Sequence, residues 1–127
     1  MSYDLLVFEP AAVPAGSAEF DAWLGDLMRW EGGWDYNDPA ICSPALRRWE
    51  AAMRRKFWAL NGPHASRWGV WLRPNDFADF ACTPIAIYVG FGWDRAEIAY
   101  ATALENAGRY GLGLHDTSGT GEIHLPG

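Results

Sequence analysis

The chain has 127 residues, of which 50% are hydrophobic and 15% aromatic, and its formal net charge is −6. This length predicts a single domain over residues 1–127, and the apolar content excludes an intrinsically disordered chain. No apolar run approaches the roughly 20 residues of a membrane helix, and no basic stretch precedes the first apolar run as in a signal peptide. An acidic chain also repels phosphate backbones, which argues against nucleic-acid partners. From the lack of a membrane span and of a signal peptide we expect a cytoplasmic protein without membrane partners.

The first half of the chain predicts one strand and two helices. Residues 3–8 are apolar on both alternating faces, which is typical of a central strand. Ser17 is a candidate N-cap, and apolar residues then recur at helical spacing until Gly32-Gly33, which we expect to stop the helix. Ser43-Pro44 opens a second helix with a cap and a first-turn proline, and Asn61-Gly62-Pro63 ends it.

The second half predicts strands around one further helix. A short strand is expected over residues 77–83, and a clearer one over residues 85–91 because its apolar residues alternate. Asp94 is a candidate cap for a helix that Gly111 ends, and a hairpin closes the chain. The order β-α-α-β-β-α-β-β predicts an α+β fold: a mixed, mainly antiparallel sheet with helices on one face, a ferredoxin-like sandwich with an extra helix and a C-terminal hairpin.

Charge is distributed unevenly along the chain. Residues 1–40 hold eight carboxylates against Arg29 alone, whereas residues 41–73 hold seven cations against Glu50 alone. Either the two segments neutralise each other within the fold, or the acidic segment forms a surface for a basic partner. The sequence leaves both interpretations open.

Tryptophan is the most unusual residue type, with eight copies, seven of them in the first 71 residues. Tryptophan is rarely buried completely and is enriched at the centres of interfaces. A domain of this size cannot enclose all eight rings, so part of them predicts an exposed aromatic binding surface. The alternative is a loosely layered core with tryptophans at its edge.

The end of the first helix and the loop after it combine both signals. Acidic and aromatic side chains alternate there, as expected of a surface that attracts a basic partner and holds it with aromatic contacts. The alternative is a solvated acidic helix end with two rings packed on the second helix. The predicted partner-binding residues are Asp26, Trp30, Glu31, Trp34, Asp35, Tyr36 and Asp38.

Sequence motifs for catalysis are missing. The chain has no phosphate-binding glycine loop, no G-x-S-x-G and no H-E-x-x-H, and His64 has no nearby hydroxyl or carboxylate motif. Cys42 and Cys82 lack metal-ligand spacing, so we expect reduced thiols. The sequence therefore predicts no enzyme, no cofactor and no catalytic residue.

The C-terminal hairpin offers one alternative site. A two-residue turn at Gly119-Thr120 would place His115 opposite His124 on one face. The same register would bring Glu122 to that face, completing a set of residue types that bind zinc or iron. The other interpretation is a solvated polar face without a metal.

The loop and second helix also carry a family resemblance. Their pattern is Tyr36-x-Asp38-Pro39-x-x-x-Ser43-Pro44-x-Leu46-Arg47-x-Trp49, followed by Asn61-Gly62-Pro63, with a first strand Tyr3-Asp4-Leu5 and a final hairpin Gly121-Glu122-Ile123. The pattern resembles a family of small, mostly uncharacterised bacterial proteins, which themselves resemble the immunity partners of secreted antibacterial toxins of the polymorphic and type VI kinds. The resemblance implies a protein toxin as partner, and it carries over no functional residue.

Three functions are consistent with the sequence. The first is an immunity protein that neutralises a cognate, basic toxin by occluding its active site. The second is a small metal-binding domain or enzyme that uses His115, Glu122 and His124. The third is a homodimer whose exposed tryptophans cover each other.

Overall fold

The computed structural model describes residues 2–14 and 16–126, which form one sheet covered by helices. The strands are β1 (Tyr3–Phe8), β2 (Trp58–Ala59), β3 (Phe77–Cys82), β4 (Ala86–Phe91), β5 (Gly113–His115) and β6 (Ile123–His124). The α-helices are α1 (Ser17–Leu27), α2 (Pro44–Met53), α3 (Arg67–Leu72) and α4 (Ala96–Arg109). No helix in this part of the chain is both long and apolar enough to cross a bilayer.

The sheet has the order β2-β3-β4-β1-β5-β6. β1 lies at its centre and pairs antiparallel with β4 and β5, and the pairing of β2 with β3 is parallel. The predicted α+β class with a mixed, mainly antiparallel sheet is confirmed, whereas the ferredoxin-like arrangement is not.

Helices cover both faces of the sheet. On one face α2 and α4 pack over Leu5 and Val7 of β1, and Trp49 of α2 donates its indole N–H to the carbonyl of Ala103 of α4 at 3.1 Å. On the other face α1 covers β1 through Phe20. The expectation of helices on one face was wrong for α1, because β1 is apolar on both sides and both sides need cover.

Several element boundaries differ from the sequence-based expectations. The second helix ends at Met53. The chain then turns towards β3, where the Trp58 N–H donates to the Asp76 carbonyl at 2.9 Å. The segment after β2, for which no element was predicted, forms the short helix α3. Ser43 caps α2 as predicted, accepting from Leu46 N–H at 3.3 Å, whereas α1 and α4 begin without a side-chain cap.

Candidate partner-binding groove

A groove opens between the C-terminal end of α1, the loop that follows it and the turn between β3 and β4. Its volume is about 260 Å³. Aromatic rings form its walls, carboxylates stand at its rim, and Thr83 and Ile85 close it from the sheet side. It is lined by Trp23, Asp26, Leu27, Glu31, Gly32, Trp34, Tyr36, Thr83 and Ile85. We call this the α1 groove.

Four of the seven predicted partner-binding residues line the α1 groove, namely Asp26, Glu31, Trp34 and Tyr36. Trp30 stands beside them, with its ring centroid 5.1 Å from that of Tyr36 in an edge-to-face contact. The structure therefore brings the predicted aromatic residues into one cluster, in which the centroid of Trp34 lies 6.0 Å from that of Tyr36. Their role in binding remains a prediction.

The remaining two predicted residues stabilise the loop backbone. Asp35 accepts a hydrogen bond from Asn37 N–H, and Asp38 accepts one from Ala40 N–H, both at 3.0 Å. Such local hydrogen bonds are a standard way for Asp to fix a turn. Asp35 nevertheless stays exposed, so its charge is presented beside the groove.

The backbone reverses direction at Trp30. Helix α1 ends at Leu27, five residues before the predicted stop, and Trp30 has a φ of 55°. It is the one non-glycine with positive φ among residues 2–14 and 16–126. A side chain in this left-handed region costs roughly 1–3 kcal/mol and occurs preferentially at binding and active sites. The conformation turns the Trp30 ring towards the sheet, where its centroid is 6.0 Å from that of Tyr88.

Hydrogen bonds hold the groove loop against the edge of β3. The Tyr36 carbonyl accepts from Cys82 N–H at 2.7 Å, and its hydroxyl accepts from Gly32 N–H at 2.6 Å. The Asn61 side-chain amide donates to the Asn37 side chain at 2.5 Å. The same amide group also donates to the Phe80 carbonyl and accepts from the Phe80 N–H on β3. The loop is preorganised by these bonds, which lowers the entropy cost of binding a partner.

The acidic groups around the groove form no ion pair with any residue that the structure describes. The ion pairs in the described part of the chain are Arg54–Glu50, Arg95–Asp76, Arg95–Asp94, Arg109–Glu105 and His124–Glu122. None of them links the acidic residues 1–40 to the basic residues 41–73, so the interpretation that these segments pair with each other was wrong. Asp26, Glu31 and Asp35 are exposed and give the groove a negative rim.

The alternative metal site is not assembled by the hairpin. His115 lies opposite Ile123 and His124 opposite Leu114, one residue away from the predicted register. A one-residue shift places the two imidazoles on opposite faces of the sheet: His115 contacts Phe20 of α1, and His124 contacts Tyr100 of α4. The predicted pairing of His115 with His124 was therefore wrong, although Glu122 does lie 3.5 Å from His124. Among the residues described, no three His, Cys, Asp or Glu side chains group as a metal site.

The register shift has a cause in the turn. The Asp116 carboxylate accepts from the backbone N–H and the hydroxyl of Thr120 and from the Tyr3 hydroxyl at 2.8 Å. Burial alone would raise the pKa of Asp116, but these hydrogen bonds outweigh it and lower the pKa. The charged carboxylate thus organises a longer turn than the two-residue one expected.

We expect the free energy of unfolding to depend on pH through His115. Burial against α1 lowers its pKa, although the charges of Asp21 and Asp116 oppose this effect. Below the ordinary histidine pKa of about 6.5, the unfolded chain binds a proton that the folded chain does not, so the free energy of unfolding should fall as the pH falls. Urea titrations at about pH 7.5 and about pH 5.5 should show this loss, and His115→Phe should reduce it.

The matched control for this prediction is His64, which is exposed in the turn between β2 and α3. His64→Phe should leave the pH dependence of the free energy of unfolding as in the wild type. Equal pH dependence of the wild type and His115→Phe would contradict the assignment of the effect to His115.

Both cysteines are buried and free, as expected from their spacing. Hydrogen bonding to Cys42 and burial raise the pKa of the Cys82 thiol. A thiol with a raised pKa stays protonated and is a poor nucleophile. Neither cysteine side chain lines the α1 groove.

The sequence interpretation missed the most exposed aromatic residues of the chain. Trp68 and Trp71 on α3 are 73% and 80% exposed, whereas Trp34 of the groove is 39% exposed. The apolar residues at 68, 71 and 72 have helical spacing, which would have identified an outward-facing helix. Because Trp68, Val70 and Leu72 also alternate as in a strand, the pattern was ambiguous and no element was predicted there.

Comparison with protein-family models, with curated proteins and with solved structures found no significant match to this chain.

Proposed function

We propose that this chain is a non-enzymatic binding protein whose α1 groove receives a cationic side chain of a basic partner protein. The observation that carries the proposal is the groove itself, a preorganised aromatic cavity with carboxylates at its rim that no cation of the described chain neutralises. An arginine or lysine inserted there would lie against Trp34 and Tyr36 and near Asp26 and Glu31. Cation–π contact and charge attraction would then act together.

The size of the cavity supports a side chain over a small-molecule substrate. Sites for substrates and cofactors usually measure about 300–1,000 Å³ and enclose most of the ligand. The α1 groove, at about 260 Å³, lies below that range. A protein partner needs only a few such anchor positions surrounded by a complementary surface.

We propose further that the partner is a bacterial toxin and that this chain acts as its immunity protein. The resemblance of residues 36–63 to the family of small bacterial proteins supports this identification. Toxins that act on nucleic acid or other anionic substrates carry basic active-site surfaces, and an acidic protein can occlude them without chemistry of its own. Neutralisation would occur in the cytoplasm of the producing cell.

The test first captures the partner with the full chain and then measures how substitutions in the α1 groove change the affinity for that partner. The tagged chain is purified from its native cells, and the co-purified protein is identified and produced alone. We expect Trp34→Ala combined with Asp35→Ala to weaken the complex by more than about 2 kcal/mol, roughly thirtyfold in Kd by calorimetry. Trp93→Ala is the control, because Trp93 is 50% exposed but lies outside the groove.

Two outcomes would contradict the proposal separately. Unchanged affinity of the groove double variant removes the α1 groove as the binding site. For the immunity function, the captured protein should arrest growth when produced alone, and the wild-type chain should restore growth. A captured protein that is harmless on its own would contradict the immunity function.

A further inference from the structure

The helix α3 presents a second, separate surface of apolar residues. Trp71, Leu72 and Trp68 are 80%, 76% and 73% exposed, and Val70 and Leu60 are 52% and 47% exposed. Trp68, Trp71 and Leu72 share one face of the helix at positions i, i+3 and i+4, and we call this face the α3 surface. Monomeric proteins rarely leave such a group of large apolar side chains in water, so the surface is expected to have a partner.

The helix is held rigidly from below. Gly69 lies directly on the Trp58 ring, and a Cβ at position 69 would be 2.2 Å from that ring, so only glycine permits this contact. Ser66 caps the helix by accepting from Gly69 N–H, and the Trp58 indole N–H donates to the Arg73 carbonyl at 2.6 Å. Both ends of α3 are fixed, so the fold itself holds its tryptophans in an outward position.

Cations flank α3 in sequence, and the first carboxylate after it, Asp76, is paired with Arg95. Residues 51–75 contain five cations, Arg54, Arg55, Lys56, Arg67 and Arg73, and no carboxylate. Arg54 pairs with Glu50, whereas the other four form no ion pair with any residue that the structure describes. An apolar surface with unpaired cations at its margin is complementary to an apolar phase that carries negative charge.

We propose that the α3 surface docks on the surface of a bilayer that contains anionic phospholipid. Tryptophan prefers the level of the lipid headgroups, and Leu72, on the same helix face as the two tryptophans, would enter the acyl boundary while Arg67 and Arg73 contact phosphates. The insertion of a few apolar side chains and the attraction of basic side chains to anionic lipid each give only weak membrane affinity. Together they supply the two signals that stable membrane attachment requires.

Other occupants fit the α3 surface less well. Nucleic-acid bases could stack on Trp68 and Trp71, but they would leave the aliphatic Leu72, which is 76% exposed, without an apolar partner. A dimer built from two copies of the surface would bring two unpaired cationic segments together. The expectation of no membrane partner rested on the lack of a spanning segment, which contact with a bilayer surface does not need.

The test is co-sedimentation of the full chain with vesicles of phosphatidylcholine alone or mixed with phosphatidylglycerol. We expect binding to the mixed vesicles that decreases as salt is added, and little binding to phosphatidylcholine. Trp68→Ser with Trp71→Ser should weaken binding at least about tenfold, and each of Arg67→Gln and Arg73→Gln about fivefold. These side chains are exposed, so the variants should fold, which circular dichroism checks. Trp93→Ala is the control and should bind like the wild type.

Three results would overturn the proposal. The first is no binding to the anionic vesicles, and the second is binding that the tryptophan double variant retains. The third is a concentration-dependent doubling of the solution mass that the double variant abolishes, which would assign the surface to a second copy of the chain. The proposal is independent of the α1 groove, because capture of a toxin is tested through Trp34 and Asp35.

Discussion

Replacing Trp49 with alanine is expected to lower the free energy of unfolding by about 3–5 kcal/mol. Trp49 is fully buried between the sheet and α4, where its ring stands edge-on to Phe80 with centroids 6.4 Å apart. Its indole N–H also joins α2 to α4 through the 3.1 Å hydrogen bond to Ala103. Alanine would remove both the ring and the bond and leave a cavity that the rigid sheet cannot fill.

Trp49→Phe is the matched control because it keeps an aromatic ring and removes the N–H. We expect a smaller loss, of about 1–3 kcal/mol, from the missing hydrogen bond and the smaller ring. Urea unfolding followed by circular dichroism measures both variants. If Trp49→Ala were as stable as Trp49→Phe, the packing of the ring would not be the main contribution. Partner affinity of the folded fraction should not change, because the α1 groove is on the other face of the sheet.

The elements that sequence reasoning found are those with strong local patterns. The alternation of residues 85–91 predicted β4, and Ser43-Pro44 predicted the start of α2, because strand periodicity and helix capping act within a few residues. The face on which α1 packs was not predictable in the same way. An apolar stripe shows that a helix packs, and the free side of β1 decides where.

The hairpin shows why register needs tertiary information. The turn residues Gly119-Thr120 favoured a two-residue loop, but the Tyr3 hydroxyl, 113 residues away in sequence, bonds the Asp116 carboxylate and helps to set a longer one. Because side chains alternate along a strand, that single residue of shift separates His115 from His124. A local turn signal cannot include a contact from the first strand.

The candidate site was predictable only where its residues are close together in sequence. Residues 26–38 are contiguous and supplied its aromatic and acidic groups, whereas Thr83 and Ile85 reach the groove only through the topology of the sheet. The exposure of α3 depends on Gly69 lying over Trp58, which the sequence of α3 alone does not indicate. Composition predicted surplus tryptophans at the surface but not which ones.

The second large loss of stability is expected from Gly62→Ala, although Gly62 is far from the groove residues in sequence. Gly62 has a φ of 81°, and a Cβ there would be 2.1 Å from the carbonyl oxygen of Asn37. The left-handed backbone costs an L-residue roughly 1–2 kcal/mol, and relieving the collision costs about 1–3 kcal/mol more. We therefore expect the free energy of unfolding to fall by about 2–5 kcal/mol, measured by urea titration.

Gly121→Ala separates the two contributions. Gly121 has nearly the same φ, 77°, but nothing within 4 Å of an added Cβ, so only the backbone cost of about 1–2 kcal/mol should appear. Because Asn37 follows Tyr36 in the loop of the α1 groove, relief of the collision at Gly62 should also displace the groove wall. Gly62→Ala should then weaken partner binding while Gly121→Ala leaves it unchanged, and equal affinities would show that the loop does not need its present position to bind.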